Sequence, residues 1–298
     1  MKANDPTSQG RKAICALTVA SSDSGAGAGI QADLKAFAAH GIYGLSAIAG
    51  ITAQNTQGVL AELYLGRGLL TSQLKALSQD FRVSAIKVGL LGTEANALAL
   101  RDFLAKGSFG DAPVVLDPVM CSATGHTFLK PAAVRGVIKL FGKAFLITPN
   151  MFEAAALSGR KVLKFEDFLE AAKTLISSGA KNVLVKGGHL KSEPKDLLLT
   201  QEGQVVVFSG RRVKTNNDHG TGCTLSSAIA ARLATGMGLV DAIRHAKEYV
   251  ANAMEQGPAV GRGHGPLDHF YAFRDRPFAR LGDETGLVDV SYEGHAKD

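Results

Sequence analysis

The chain alternates short apolar runs with longer amphipathic segments. The short runs predict strands at residues 14–20, 45–51, 85–88, 114–116, 145–147, 183–185, 197–200 and 205–208. The amphipathic segments predict helices at 30–40, 72–81, 94–106, 131–140, 152–157, 165–178, 224–235 and 240–256. Several strands are apolar throughout, which indicates burial on both faces. The pattern therefore predicts an α/β fold with a mostly parallel central sheet and helices on both faces, and antiparallel edges near the start and near 197–208.

The domain organisation follows from length and composition. A chain of 298 residues is compatible with one large α/β domain, and no composition shift marks a second one. We expect a single domain at 13–273, a loose polar segment at 1–12 and a charged tail at 274–298. The first residues lack the apolar stretch of a secretory signal, and no run of apolar residues is long enough to span a membrane.

Cysteine usage and charge restrict the function classes. Cys15, Cys121 and Cys223 are odd in number and widely spaced, which argues against a disulfide framework and favours a reducing, cytoplasmic location. The net charge is +6, but the basic residues are scattered and tryptophan is absent, so neither a nucleic-acid nor a membrane partner is expected. The excess charge fits an anionic substrate such as a nucleotide, or simply a solvated surface.

A glycine-rich turn at 21–30 links the first predicted strand to the first predicted helix. Its spacing is G-x-G-x-G rather than G-x-G-x-x-G, which disfavours a dinucleotide-dependent oxidoreductase. The turn either lets backbone approach a ligand closely or is an ordinary tight connection. Asp33, in the following helix, either complements the helix dipole or points into a cleft, where it would hold a hydroxyl or amino group.

Polar side chains follow several other predicted strands, where ligands bind in open parallel sheets. Gln54 offers a carboxamide that suits a heteroaromatic ring, although a polar turn would look the same. Asp117 and Glu153 are candidates for Mg²⁺, which takes few protein ligands and keeps several waters. Asn150 is either a helix N-cap or a group that orients metal-bound water. Lys186, followed by two glycines, could reach a phosphate.

The strongest motif is the loop 216–224, which opens an apolar helix. Gly220 and Gly222 have no side chains that would block a ligand, so their N–H groups and that of Cys223 can converge on one anion at a helix N-terminus. The same field predicts a lowered pKa for the Cys223 thiol and makes it a candidate base or nucleophile. The alternative is a buried structural cysteine. The chain contains neither a Walker motif nor a G-x-S-x-G elbow.

Together these blocks resemble the ribokinase-like superfamily, and within it the hydroxymethylpyrimidine/phosphomethylpyrimidine kinases of thiamine biosynthesis. The resemblance covers about residues 13–273 and rests on GAGIQADLKAFAAHG, ITAQNTQGV, KVGLLGT, VVLDPVM, LITPN, VLVKGGH, HGTGCTLSSAIAA and GHGPLDHFYAF. It implies an ATP- and Mg²⁺-dependent enzyme, commonly a homodimer. In that family one site phosphorylates first the pyrimidine alcohol and then the monophosphate.

The resemblance also implies roles for individual residues. Gln54 and Asp33 bind the aminopyrimidine and its hydroxymethyl group, in a pocket lined by Ala28, Leu90 and Val119. Cys223 is the base. The remaining roles concern phosphates and metal: an anion hole formed by Gly220, Thr221 and Gly222, an ATP site with Lys186 and Asn150, and a magnesium site near Asp117 and Glu153.

Two departures from the family pattern leave alternatives open. Asp218 replaces a threonine beside the anion hole, and Ala123 replaces a lysine in a predicted lid at 121–128, which weakens the case for the second phosphorylation. Cys121 lies close to where related pyridoxal kinases carry a second cysteine, so pyridoxal is an alternative substrate. The same departures leave a non-catalytic pyrimidine-binding sensor as a further alternative.

Overall fold

The computed structural model describes residues 13–122, 125–190 and 193–274. The predicted loose segment at 1–12, the predicted tail apart from Arg274, and Ala123 of the predicted lid lie outside these residues. The predicted single domain at 13–273 remains a prediction.

One sheet of nine strands runs through the described residues. The strands are β1 (Cys15–Asp23), β2 (Tyr43–Asn55), β3 (Gly58–Tyr64), β4 (Val83–Val88), β5 (Val114–Leu116), β6 (Leu146–Ile147), β7 (Asn182–Val185), β8 (Lys195–Thr200) and β9 (Val205–Ser209). Their order is β3-β2-β1-β4-β5-β6-β7-β8-β9, and the pairs from β2 to β7 are parallel. The mostly parallel sheet is therefore confirmed.

Eight α-helices in the described ranges cover both faces of the sheet. They are α1 (Gly29–Ala39), α2 (Arg67–Asp80), α3 (Glu94–Ala105), α4 (Pro131–Ile138), α5 (Met151–Ser158), α6 (Phe168–Ser177), α7 (Thr221–Ala234) and α8 (Leu239–Glu255). In β5, Val114 and Leu116 pack into one apolar layer, with α2 to α6, while Val115 packs into the other, with α1, α7 and α8. None of the described helices combines the length and the apolar character that a membrane span requires.

The edges of the sheet differ in part from the prediction. β8 and β9 are antiparallel, as expected, but β1 lies in the interior, where it pairs in parallel with β2 and β4. The other antiparallel edge is β3, which the sequence pattern did not predict. Its Leu60 and Leu63 are exposed, so the strand lacks the apolar signal of a buried one. The turn before it forms because the Asn55 carboxamide accepts hydrogen bonds from the N–H groups of Gln57 and Gly58.

Candidate active site

A cleft of about 1440 Å³ opens at the carboxyl ends of the parallel strands. Nearly all the residues singled out from the sequence line it: Ala28, Gln54, Leu90, Asp117, Val119, Asn150, Glu153, Lys186, Gly220, Thr221, Gly222 and Cys223. The fold thus brings together side chains that lie up to about two hundred residues apart. Their individual roles remain predictions.

Asp33 is the exception, because its side chain lies in the interior and not in the cleft. The residue is 0% exposed and accepts hydrogen bonds at 2.8 Å from Lys87 Nζ to both carboxylate oxygens. Thr18 and Ser227 donate two more, at 2.6 and 2.8 Å. A carboxylate saturated in this way has no oxygen left for a ligand. The expected contact between Asp33 and substrate therefore does not fit the structure. The Asp33 carboxylate is buried because it forms an ion pair with Lys87.

Asp23, at the end of β1, does line the cleft. It accepts hydrogen bonds from the N–H groups of Gly25, Gly27 and Ala28 at 2.8, 3.1 and 2.9 Å, and it lies 2.9 Å from His219 Nε2. Burial opposes its ionisation, but the bonds from His219 and the backbone outweigh burial and lower the pKa of Asp23. The glycine-rich turn is therefore built around this carboxylate. The only hint in the sequence is an acidic residue directly before the glycines.

His219 connects the turn to Gln54. Its Nε2 atom lies 3.1 Å from Gln54 Nε2 as well as 2.9 Å from Asp23. The Gln54 oxygen also accepts a hydrogen bond from Thr52 Oγ1 at 3.3 Å. The candidate ring-binding carboxamide therefore has one partner on its own strand, Thr52, and one in the loop before α7, His219. His219 belongs to the strongest sequence motif, but nothing in that motif indicates which residues its imidazole contacts.

The loop that enters α7 requires glycine at position 220. Gly220 adopts φ = +88°, and a Cβ atom there would lie 1.8 Å from the carbonyl oxygen of Gly27, so only glycine fits. Thr221 donates both its N–H, at 3.2 Å, and its hydroxyl, at 2.6 Å, to the carbonyl of Asp218. Thr221 therefore shapes the loop, and the N–H groups of the glycines and Cys223 in the first helical turn remain the candidate anion-binding donors.

Cys223 lies in the first turn of α7 and is partly exposed in the cleft. Burial raises the pKa of its thiol to about 11, and the charges of Asp33 and Asp117 act in the same direction. Lys87 and the N–H of Gly29 oppose this without outweighing it. The expectation that the helix terminus lowers this pKa is therefore wrong for the free protein, because desolvation and two carboxylates exceed the effect of the helix field.

Asp117 and Lys186 form a buried ion pair on the floor of the cleft. Lys186 Nζ lies 2.7 Å from Asp117 Oδ1, and the hydroxyl of Thr148 donates to the same oxygen at 3.1 Å. Burial works against the charged ammonium, but Asp117 and Glu153 outweigh it, and the pKa of Lys186 is raised. Both charges lie next to the anion hole, since a Cβ atom on Gly222 would be 3.3 Å from Lys186 Nζ and 3.4 Å from Asp117 Oδ2.

Asn150 and Glu153 form a capping box at the start of α5. The Asn150 side chain accepts from the N–H groups of Phe152 and Glu153, both at 2.9 Å, while Glu153 accepts from the N–H of Asn150 at 2.8 Å. The N-cap alternative for Asn150 is therefore realised, although the residue also lines the cleft. Burial raises the pKa of Glu153 to about 7; Lys186 lowers it and Asp117 raises it further.

The far end of the cleft lies beside β9 and α8. Apolar side chains there come from Val207, Val213, Leu225, Val250 and Met254, and basic ones from Arg211, Arg212, Lys214 and Lys247. Lys247 pairs with Asp196, and Arg211 pairs with Glu255. An apolar wall rimmed by cations suits a planar base that carries an anionic tail.

The sequence profile of the family described as Phosphomethylpyrimidine kinase matches residues 23–268, which is most of the chain. The chain belongs to this family. It is 43% identical over 260 residues to the hydroxymethylpyrimidine/phosphomethylpyrimidine kinase of Rhizobium meliloti (strain 1021), with 86% of this chain and 97% of that protein covered. The ribokinase-like fold that the sequence resemblance implied is shared by solved relatives.

Two solved structures resemble this member of the phosphomethylpyrimidine kinase family. The Clostridium difficile 630 phosphomethylpyrimidine kinase superimposes with a TM-score of 0.71 at 39% identity, covering 80% of this chain and 99% of that one. The pyridoxal kinase of Staphylococcus aureus, solved with AMP-PCP and pyridoxal, gives a TM-score of 0.80 at 31% identity, covering 89% and 96%. Sequence identity is thus higher to the pyrimidine kinase, and the TM-score is higher for the pyridoxal kinase.

The predicted lid contributes Cys121 to the cleft of this family member. Cys121 and Thr127 form an antiparallel bridge, and the N–H of Phe128 donates to the Met120 carbonyl at 2.8 Å. Cys121 is exposed and lines the cleft, as Val119 does. The described part of the lid therefore carries a second thiol near the candidate substrate pocket.

Proposed function

We propose that this chain transfers the γ-phosphoryl group of ATP to 4-amino-5-hydroxymethyl-2-methylpyrimidine, and then to its monophosphate, in thiamine biosynthesis. The observation that carries this proposal is the 3.1 Å contact between Gln54 and His219, which joins a ring-binding carboxamide to the loop that ends at Cys223. A cytoplasmic location suits a site with a free thiol, since cytosolic thiols stay reduced.

Recognition of the pyrimidine begins with Gln54. Its carboxamide offers a donor and an acceptor in one plane, which matches a ring nitrogen beside an exocyclic amino group. Ala28, Leu90 and Val119 supply apolar surface for the ring. Because Gln54 contacts His219 in the free protein, substrate must replace that contact or add to it.

The residues at the start of α7 carry out the phosphoryl transfer. The first-turn N–H groups and the helix dipole stabilise the negative charge that develops on the transferred group. As the substrate oxygen bonds to the γ-phosphorus, its proton passes to the Cys223 sulfur, and the bond to the bridging oxygen breaks to release ADP. The sulfur must be a thiolate to accept that proton. Because its pKa is raised to about 11, the thiolate is the less populated form of Cys223 in the free protein at neutral pH.

Magnesium would be held by Asp117 and Glu153. No cluster of three or more metal-ligating side chains occurs in the described ranges, but Mg²⁺ bound to nucleotide needs only one or two carboxylates. Asp117 and Glu153 supply that donor set beside the anion hole, although burial raises the pKa of Glu153 to about 7, so that it is only partly ionised at neutral pH until a cation binds. The bound ion would neutralise phosphate charge during transfer. Lys186, which neutralises Asp117, lies where the phosphates of ATP would pass.

The nucleotide would occupy the end of the cleft beside β9 and α8. Val213 and Met254 offer contacts for adenine, and Arg212 and Lys214 offer charge for phosphates. Asn150 also lines the cleft. The expected contacts with ATP are therefore those of Asn150 and Lys186, together with this basic rim.

A coupled assay that follows ADP release from ATP, Mg²⁺ and the hydroxymethylpyrimidine tests the proposal. We expect turnover that saturates in both substrates. Tight binding of the pyrimidine without ADP release would instead favour the non-catalytic sensor.

Pyridoxal is a second candidate substrate, favoured by the position of Cys121. A thiol in the lid, facing the cleft, suits a substrate that carries an aldehyde, and the Staphylococcus aureus relative was solved with pyridoxal. We expect kcat/KM for the hydroxymethylpyrimidine to exceed that for pyridoxal, since sequence identity is higher to the pyrimidine kinases. The reverse order would make the chain a pyridoxal kinase.

We further propose that the chain forms a homodimer through the β3 edge of the sheet. Leu63 lies opposite Ile51 in the β2–β3 pair, and both are exposed, as is Leu60. Exposed apolar side chains on an unpaired edge strand favour association with a second copy. Light scattering should give twice the chain mass for the parent, and a Leu60→Glu/Leu63→Glu variant should be monomeric.

A further inference from the structure

Lys87, on β4, is a fully buried lysine next to the candidate base. The residue is 0% exposed, yet it contributes to the wall of the cleft. Its ammonium lies 2.8 Å from each carboxylate oxygen of Asp33. A buried ion pair of this kind gives little net stability compared with an apolar pair, so its presence beside a reaction site calls for a chemical reason.

The ion pair is fixed to the helix that carries Cys223. Ser227 donates to Asp33 at 2.8 Å and stands four residues after Cys223 on α7, so both side chains lie on the same face of that helix. Thr18 of β1 fixes the second oxygen of Asp33 at 2.6 Å. The ammonium of Lys87 is therefore held at one position under the first turns of α7.

Four charged side chains of neighbouring elements act electrostatically on the Cys223 sulfur. Lys87 comes from β4, Asp33 from α1, Asp117 from the end of β5 and Lys186 from the end of β7. Asp117 accepts hydrogen bonds from Lys186 and Thr148, and the ammonium of Lys186 neutralises that carboxylate locally.

The balance of these effects identifies Lys87 as the group that favours the thiolate most. Burial is the largest influence on the pKa of the Cys223 thiol and raises it. The largest influence in the opposite direction is the positive charge of Lys87, which exceeds the separate contributions of Asp33 and Asp117. The N–H of Gly29 adds a smaller stabilisation of the thiolate.

We propose that Lys87 is the counter-charge of the Cys223 thiolate and that Asp33 is the residue that holds this ammonium in place. The inference rests on the proposed function, in which the sulfur accepts the proton of the substrate hydroxyl. Lys87 stays protonated throughout and gives no proton to substrate. The thiol formed in each turnover returns its proton to water. Because Lys87 acts through the sulfur, it is a positioning residue and not a catalytic one.

The test measures the sulfur directly, without turnover. In a Cys15→Ala/Cys121→Ala background, which leaves Cys223 as the single thiol, the rate of alkylation by iodoacetamide is followed from pH 6 to pH 10 in metal-free buffer. The variants are Lys87→Met and the double variant Lys87→Met/Asp33→Asn.

Two variants and a control distinguish the effect of removing the Lys87 charge from the effect of unfolding the protein. The double variant leaves no unpaired buried charge, so it should fold even if Lys87→Met does not. Lys173→Met is the control, since Lys173 pairs with Glu170 on the exposed face of α6. Circular dichroism and thermal denaturation establish which variants are folded.

We expect Lys87→Met to be alkylated at least ~10-fold more slowly than the background protein at pH 8, since loss of a close opposite charge moves a pKa by about one pH unit or more. The double variant should also be slower, though by less, because the repelling Asp33 charge is lost too. Lys173→Met should match the background.

Alkylation of a folded Lys87→Met or double variant at the background rate would overturn the proposal. Failure of the kinase assay would leave this measurement interpretable, because alkylation needs neither ATP nor pyrimidine. The charge inference and the proposed function can therefore fail separately.

Discussion

The Nε2 atoms of Gln54 and His219 lie 3.1 Å apart, and this contact joins the end of β2 to the loop that precedes α7. His219 also contacts Asp23, which holds the glycine-rich turn after β1. Three connections at the carboxyl edge of the sheet therefore meet at one imidazole. This arrangement brings the candidate pyrimidine-binding group and the candidate anion hole into one rigid unit.

Replacing Gln54 should affect substrate binding more than chemistry. Gln54→Ala removes the two hydrogen bonds expected for the aminopyrimidine, at about 1 kcal/mol each, so KM for the pyrimidine should rise at least ~10-fold with a smaller change in kcat. Gln57→Ala, in the exposed turn after β2, is the matched control. Steady-state kinetics with varied pyrimidine decide the point, and an unchanged KM in Gln54→Ala would remove this residue from recognition.

Replacing Cys223 should affect chemistry most. Cys223→Ala should lower kcat at least ~100-fold, the smaller end of the range for loss of a general base. Cys15→Ala is the control, because Cys15 lies at the start of β1. Initial rates at saturating substrates measure the effect. A near-parental kcat for Cys223→Ala would exclude the sulfur from the mechanism.

The segment 261–265 ties the two sides of the cleft together. Thr56 Oγ1 accepts hydrogen bonds from the N–H groups of Arg262 and Gly263 at 3.1 and 3.2 Å. A Cβ atom on Gly263 would lie 2.1 Å from the Thr56 carbonyl oxygen, so alanine cannot fit without a backbone shift.

Gly263→Ala should therefore destabilise the protein by about 1–3 kcal/mol, as overpacked sites do, and should raise KM by disturbing the end of β2. Gly68→Ala, where a Cβ would meet nothing within 4 Å, should show neither effect. Urea denaturation and kinetics of both variants provide the comparison. Equal stability of the two would show that the segment moves freely, against this account.

Glu153 should make stability depend on pH. Burial raises its pKa from 4.5 to about 7 in the folded protein, so the folded state binds more protons than the unfolded state between these values. The free energy of unfolding should therefore fall as pH rises from about 4.5 to about 7. The size should be on the order of 3 kcal/mol, since one pH unit is worth about 1.4 kcal/mol.

The Glu153→Gln variant isolates this contribution. Its amide does not titrate in this range, so the difference in unfolding free energy between parent and variant should change with pH in the direction given. Urea denaturation at pH 5, 6, 7 and 8 measures it. A difference that stays constant across the series would mean that Glu153 ionises normally.

The sequence predicted those strands that are buried, because a buried strand appears in the sequence as a run of apolar residues. β5 and β7 are apolar runs enclosed on both faces, whereas β3 is exposed on both and carries no such pattern. Leu60 and Leu63 of β3 are exposed, so the strand lacks the continuous buried run that marks the interior strands.

The sequence predicted which residues line the candidate site better than it predicted their ion pairs and pKa values. Gln54 and Cys223 stand beside strand ends and glycines, which are local features. Asp33 turns inward because Lys87, 54 residues away, supplies its partner, and Asp23 faces the cleft because His219 lies 196 residues further on. The pKa of Cys223 depends on burial and on such distant charges, so a local motif could not give its direction.

Mass analysis of the products shows whether the chain phosphorylates the pyrimidine and how many phosphates it adds. The purified protein is incubated with 4-amino-5-hydroxymethyl-2-methylpyrimidine, ATP and Mg²⁺, and the pyrimidine species are followed over time. The account predicts the monophosphate first and the diphosphate later, with both absent for Cys223→Ala on the same time scale. An unmodified pyrimidine after incubation with folded, nucleotide-binding protein would contradict it.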